Sequence, residues 1–114
     1  MRIAAWAAVA MLAVTISCQS SDVSRAVGAR CDTNAECDTK CLQPSGDWPG
    51  GFCTLLCDDS SGCPSDARCI DEEGGVCAFT CTDDPSCAFL GTGYACKAVD
   101  SKGAGAKVMV CRGG

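Results

Sequence analysis

Apolar positions are distributed along this chain in two unlike ways. Residues 3–16, "IAAWAAVAMLAVTI", form one apolar run of 14 after a single charge, Arg2. Past residue 18 the apolar residues come in short, strand-length groups beside cysteines, interrupted by Gly, Pro and Asp. As a helix the first run would span about 21 Å, at about 1.5 Å per residue, against a hydrocarbon core of about 30 Å. That is short for a membrane span and suits the apolar region of a secretory signal, so residues 1–17 are expected to be a signal peptide. The alternative is an uncleaved, tilted anchor.

The second region predicts three hairpins. "TKCLQ" (39–43) and "GFCTLL" (51–56) flank "PSGDWPG". "ARCID" (67–71) and "VCAFT" (76–80) flank "EEGG", and "TGYACKAV" (92–99) and "KVMVC" (107–111) flank "DSKGAGA". The intervening glycines can take positive φ, as tight hairpin turns require. Gly, Pro and Asp break every candidate helix after residue 18.

Cysteine spacing gives these hairpins a frame. Twelve of the 13 cysteines fall between Cys31 and Cys111 and group in fours. The first unit is Cys31-x5-Cys37-x3-Cys41-x11-Cys53 and the second Cys57-x5-Cys63-x5-Cys69-x7-Cys77. The third is Cys81-x5-Cys87-x8-Cys96-x14-Cys111. Each opens with C-x5-C around an acidic, turn-forming loop ("DTNAE", "DDSSG", "TDDPS"), and two units end in Gly-Gly-apolar-Cys. This is an internal repeat. The expected fold class is small and disulfide-rich: three tandem four-cysteine modules (31–53, 57–77, 81–111) with short β-hairpins and little or no helix after the signal peptide. The third and fourth cysteines of each unit belong on the two hairpin strands. Large apolar residues are few, so cross-links rather than a core are expected to hold the fold. Loss of one bridge pair is then expected to loosen its own unit more than its neighbours.

Cys18 stands apart. "TISC" (15–18) resembles the lipobox of bacterial lipoproteins, in which a small residue precedes a cysteine that is lipidated and becomes the new N-terminus. Ser17 fits the small position; Thr15 departs from the Leu or Val usual there. Parity points the same way, because 13 cysteines cannot all pair within one chain and a lipidated Cys18 leaves an even 12. The rival is ordinary signal-peptidase cleavage nearby, which would leave Cys18 a stray thiol. "QSSDVSRAVGAR" (19–30) reads as a flexible tether, making 18–30 an anchor and linker. Gln19 after the anchor cysteine implies, by the same resemblance, an outer-membrane address in the bacterial envelope.

The Cys-x5-Cys-x(3–8)-Cys pattern with its acidic loop resembles the Dickkopf N-terminal cysteine-rich domain and the related EB and EGF-like modules. It is similar also to cysteine-rich lipoproteins that large-genome bacteria encode in many copies. Four cysteines allow three pairings per unit. First-to-second pairing would only close the x5 loop. First-to-third with second-to-fourth would staple the loop to both hairpin strands, and EGF-like modules begin that way. The resemblance thus implies Cys31–Cys41, Cys37–Cys53, Cys57–Cys69, Cys63–Cys77, Cys81–Cys96 and Cys87–Cys111, with first-to-fourth pairing the open alternative.

Composition narrows the chemistry. The chain has no histidine, which removes Ser-His, Cys-His and His-ligated metal chemistry. There is no C-x2-C spacing of the kind structural zinc sites favour, so no metal and no cofactor are expected. Asp58-Asp59, Asp71-Glu72-Glu73 and Asp83-Asp84 lack the spacing of a calcium loop and read as solvated turn residues. Removing residues 1–17 takes away Arg2 and no acid, leaving 8 basic and 14 acidic residues and a net charge of −6. That argues against nucleic acid, whose ligands need a basic face. One candidate for recognition is Trp48, at the expected tip of "SGDWPGG" (45–51), where an exposed Trp would serve as a binding hot spot; the alternative is packing over a neighbouring disulfide. The reading that results is a non-catalytic, lipid-anchored binding or spacer module with a protein or glycan ligand. A small disulfide-scaffold protease inhibitor presenting loop 43–50 is the alternative.

Overall fold

A computed structural model describes residues 23–103 and 105–114. The fold is small and disulfide-rich, built from three antiparallel hairpins: β1 (Lys40–Leu42) with β2 (Phe52–Thr54), β3 (Ala67–Ile70) with β4 (Val76–Phe79), and β5 (Ala95–Asp100) with β6 (Lys107–Arg112). The third and fourth cysteines of each module stand opposite one another, as Cys41↔Cys53, Cys69↔Cys77 and Cys96↔Cys111. Yet none of these facing pairs is bonded. The bridges run Cys31–Cys41, Cys37–Cys53, Cys57–Cys69, Cys63–Cys77, Cys81–Cys96 and Cys87–Cys111. Every one carries a hairpin cysteine outward to its own x5 loop.

Those loops are short helices rather than simple turns. Asn34–Glu36, Ser60–Gly62 and Asp84–Leu90 are 3-10 helical. The third is seven residues long, the longest helical stretch among the described residues. Asp83 accepts from Ser86 N–H at 3.1 Å, and Pro85 sits in the first turn, where its missing N–H costs nothing. The third residue of each loop also faces its hairpin. Asn34, Ser60 and Asp84 accept the N–H of Cys41, Cys69 and Cys96 at 2.9, 3.2 and 2.9 Å. Each loop is therefore fixed three times, by a bridge at either end and by a hydrogen bond to the outer edge of the strand.

The modules are joined strand to strand. The segment leading into each module lies along that module's last strand. Cys53 N–H donates to Ala29 O, Cys77 N–H to Leu55 O and Cys81 N–H to Met109 O. The buried Thr54 ties the first junction, donating through Oγ1 to Cys77 O (2.8 Å) and accepting from Cys77 N–H (3.0 Å).

Two expectations change here. Residues 23–30, read as tether, are folded onto the first module. Val27 is buried at 1% exposure, and Gly28 N–H donates to Cys53 O at 2.8 Å. Gly28 has φ +100°, and an added Cβ would stand 2.6 Å from the Phe79 ring. An apolar side chain and a close glycine approach make this stretch part of the packing. Second, the modules share a core. Phe52 of the first module and Phe79 of the second are fully buried with centroids 6.0 Å apart. Phe52 also meets Tyr94 of the third module at 6.5 Å, and Phe79 meets Phe89 at 5.5 Å. The apolar residues are few, but they are gathered at one place.

Candidate functional site

Trp48 does not stand exposed at a loop tip. It is 5% exposed and packs on Phe52, with centroids 5.0 Å apart. This corrects the recognition reading in favour of the packed alternative, with the Phe52 ring as a packing partner. The loop turns back because Ser45 Oγ accepts Trp48 N–H at 3.1 Å and Trp48 O accepts the N–H of Ser45 (3.2 Å) and Gly51 (2.9 Å). Burying a large ring against the shared core is the favourable outcome for a chain with so little apolar surface.

With Trp48 inside, residues 43–47 remain exposed as the rim of a cleft. The cleft encloses about 420 Å³. Its lining includes Leu42 and Trp48, with Gln43, Pro44, Ser45 and Asp47 as one wall and Glu72 and Glu73 on the β3–β4 turn as the other. A second, wider hollow of about 700 Å³ shares Lys40 and Glu73 with it and continues past Leu56, which is 57% exposed. A groove thus follows the seam between the first two modules.

The third module clamps this seam. Arg112 pairs with Glu72 and lies 3.3 Å from Asp47, so one guanidinium touches both walls. Gly113 N–H donates to Asp47 O at 2.7 Å. Three residues, one from each module, meet at this point, and no sequence motif announces them.

The acidic pairs have structural employment. Asp58 lies 3.7 Å from Lys102, Asp84 holds Cys96 N–H and Asp83 caps its helix. The Asp59 carboxyl is held below its ordinary range by hydrogen bonds from the Ser61 side chain and then the Ser61 N–H. In each module three sulfurs lie within 4.8 Å of one another (Cys31, Cys37, Cys41; Cys57, Cys63, Cys77; Cys81, Cys87, Cys111). All nine are committed to disulfides, which lack the thiolate that ligates metal. Cys18, the expected lipid anchor, lies outside the described residues. Among the described residues no helix is long and apolar enough to cross a membrane.

No family model matches the chain, and no solved structure does. A stretch of 63 residues is 41% identical to part of neurogenic locus notch homolog protein 4 from Homo sapiens. The match covers 54% of this chain and 3% of that protein. Together with the six bridges it supports a small, cysteine-rich, disulfide-stabilised module with tandem cysteine repeats.

Proposed function

We propose that this chain is an exported, lipid-anchored and non-catalytic module of the bacterial cell envelope, held through Cys18 and acting as a binding or spacer unit. The observation that carries the reading is the partition of the thirteen cysteines. Six bridges take up the twelve from Cys31 to Cys111, a state that belongs to an oxidising compartment. The cysteine left over stands at the end of an apolar run, in the TISC stretch. Gln19 favours the outer membrane. A protein or glycan ligand would lie in the groove between the first two modules, and the net charge of −6 after residue 17 argues against nucleic acid. Intact-mass analysis of the natural protein tests the anchor. A mature chain beginning at Cys18 with added acyl mass and six disulfides is the expected result. Loss of the membrane-bound fraction in Cys18→Ser is the second. An unmodified Cys18, or a variant that partitions as wild type, removes the anchor.

One observation favours protease inhibition as a second reading. The exposed rim 43–47 is fixed at its base by Trp48, by Gly113 and by Arg112, as an inhibitory loop must be. Titration of fragment 19–114 against representative endopeptidases decides it.

A further inference from the structure

The six bridges are unequally protected. All four cysteines of the first module are buried. In the second module, and in Cys87–Cys111, each bridge has at least one cysteine at 0% exposure. In Cys81–Cys96 both cysteines are partly exposed. Exchange with an outside thiol requires a thiolate to reach a disulfide sulfur, so access ranks this bridge first.

What lies behind it also differs from a simple surface staple. The sulfurs of Cys81, Cys87 and Cys111 fall within 4.8 Å of one another. Cys96 stands opposite Cys111 across β5–β6. Because Cys96 gives its N–H to Asp84, on the side away from β6, the two form a non-hydrogen-bonded pair. Such pairs have Cα atoms about 4.5 Å apart, inside the roughly 4.4–6.8 Å that a disulfide spans. A second complete pairing, Cys81–Cys87 with Cys96–Cys111, is therefore within reach of the folded hairpin.

We propose that the third module is a disulfide-exchange site for a small monothiol, with Cys81–Cys96 as its point of attack. The thiolate bonds to Cys96 Sγ and Cys81 leaves as thiolate. Cys81 attacks Cys87 Sγ, forming Cys81–Cys87 and releasing Cys111. Cys111 attacks the mixed disulfide at Cys96 Sγ, forming Cys96–Cys111 and expelling the original thiolate. No oxidant or reductant is consumed, because the thiol is returned. The second module holds the equivalent sulfur trio and the first a different one, of its first three cysteines, and every bridge in both has at least one buried cysteine. This site is separate from the groove and does not depend on what the groove binds.

The test uses the exported, oxidised full chain carrying Cys18→Ser, so that the added thiol is the only one. The chain is incubated with reduced glutathione, trapped by alkylation at intervals and mapped by mass spectrometry without reduction. A glutathione adduct on Cys96, then Cys81–Cys87 and Cys96–Cys111 peptides, are expected before any change in the first two modules. In Cys81→Ala/Cys96→Ala the Cys87–Cys111 bridge is expected to persist under the same conditions. Exchange beginning in another module overturns the proposal. So do new bridges between modules, the absence of any new pair in the third module, or Cys87–Cys111 opening in the double variant as fast as in the parent.

Discussion

Gly75 and Cys57 hold each other at the start of the second module. Gly75 O accepts the N–H of Cys57 at 3.0 Å, and a Cβ on Gly75 would collide with Cys57 O. Gly51 stands in the same relation to Cys31 O in the first module. The Gly-Gly-apolar-Cys repeat therefore marks where the returning strand crosses the first cysteine's backbone, in addition to making a turn.

Gly75→Ala is expected to be severe. Its φ of +114° costs an L-residue about 1–2 kcal/mol, and backbone displacement adds to that, for a total of about 2–4 kcal/mol. Gly74 supplies the control, since it has φ +83° and nothing within 4 Å of an added Cβ. Gly74→Ala should cost about 1 kcal/mol. Guanidinium unfolding with the bridges intact compares the two, and equal costs would refute the crossing as the reason for the motif.

Much of this fold was legible in the sequence because it is written in positions that tolerate little else. Cysteines flanked by apolar residues marked the strands, and glycine pairs marked their returns. The parts that stayed hidden depend on equivalences that residue type conceals. Asn34, Ser60 and Asp84 share only an acceptor oxygen three places after the first cysteine, so they do not look like a repeat. Val27 lies four residues before Cys31, as Cys53 does before Cys57 and Cys77 before Cys81. That spacing was the available sign that 23–30 belongs to the fold. The cleft was not legible at all, since Asp47, Glu72 and Arg112 come from three modules and meet only once the shared core has set their arrangement.

Thr54 joins the first two modules through a single hydroxyl that both donates to and accepts from Cys77. Thr54→Val keeps the shape and leaves a buried carbonyl without its partner, which costs about 1–3 kcal/mol. Thr54→Ser keeps the hydroxyl and should cost less than about 1 kcal/mol. The same unfolding measurement separates them. If Val proves no worse than Ser, the junction does not rest on this hydrogen bond.

Tyr94 is the one tyrosine of the chain, so its titration is read without overlap from others. Burial pushes its phenol up to about 12, against a small opposing pull from Arg30. The folded state thus holds this proton more tightly than the unfolded chain, whose phenol titrates near pH 10. The stabilisation is complete below about pH 10 and is lost as pH rises through about 12. A rapid pH jump followed by tyrosinate absorbance, read before base attacks the disulfides, should place the transition near 12. Tyr94→Phe should flatten the alkaline decline in stability. A transition near 10 would mean that the phenol is hydrated.

Phe52 decides whether the three modules are one folding unit. Repeats that touch only their neighbours have stabilities that nearly add, and damage in one stays local. Here Phe52 is fully buried against Trp48 of its own module, Phe79 of the second and Tyr94 of the third. Removing the ring leaves a cavity in all three at once. Phe52→Ala is expected to cost about 3–5 kcal/mol and, with every bridge still closed, to lower hydrogen-exchange protection in β3–β4 and β5–β6 as well as β1–β2. Leu56→Ala, at a side chain 57% exposed beside the same junction, should change little. Loss of protection confined to residues 40–54 would show instead that the bridges make each module self-sufficient and that the aromatic contacts between them add nothing the disulfides have not already fixed.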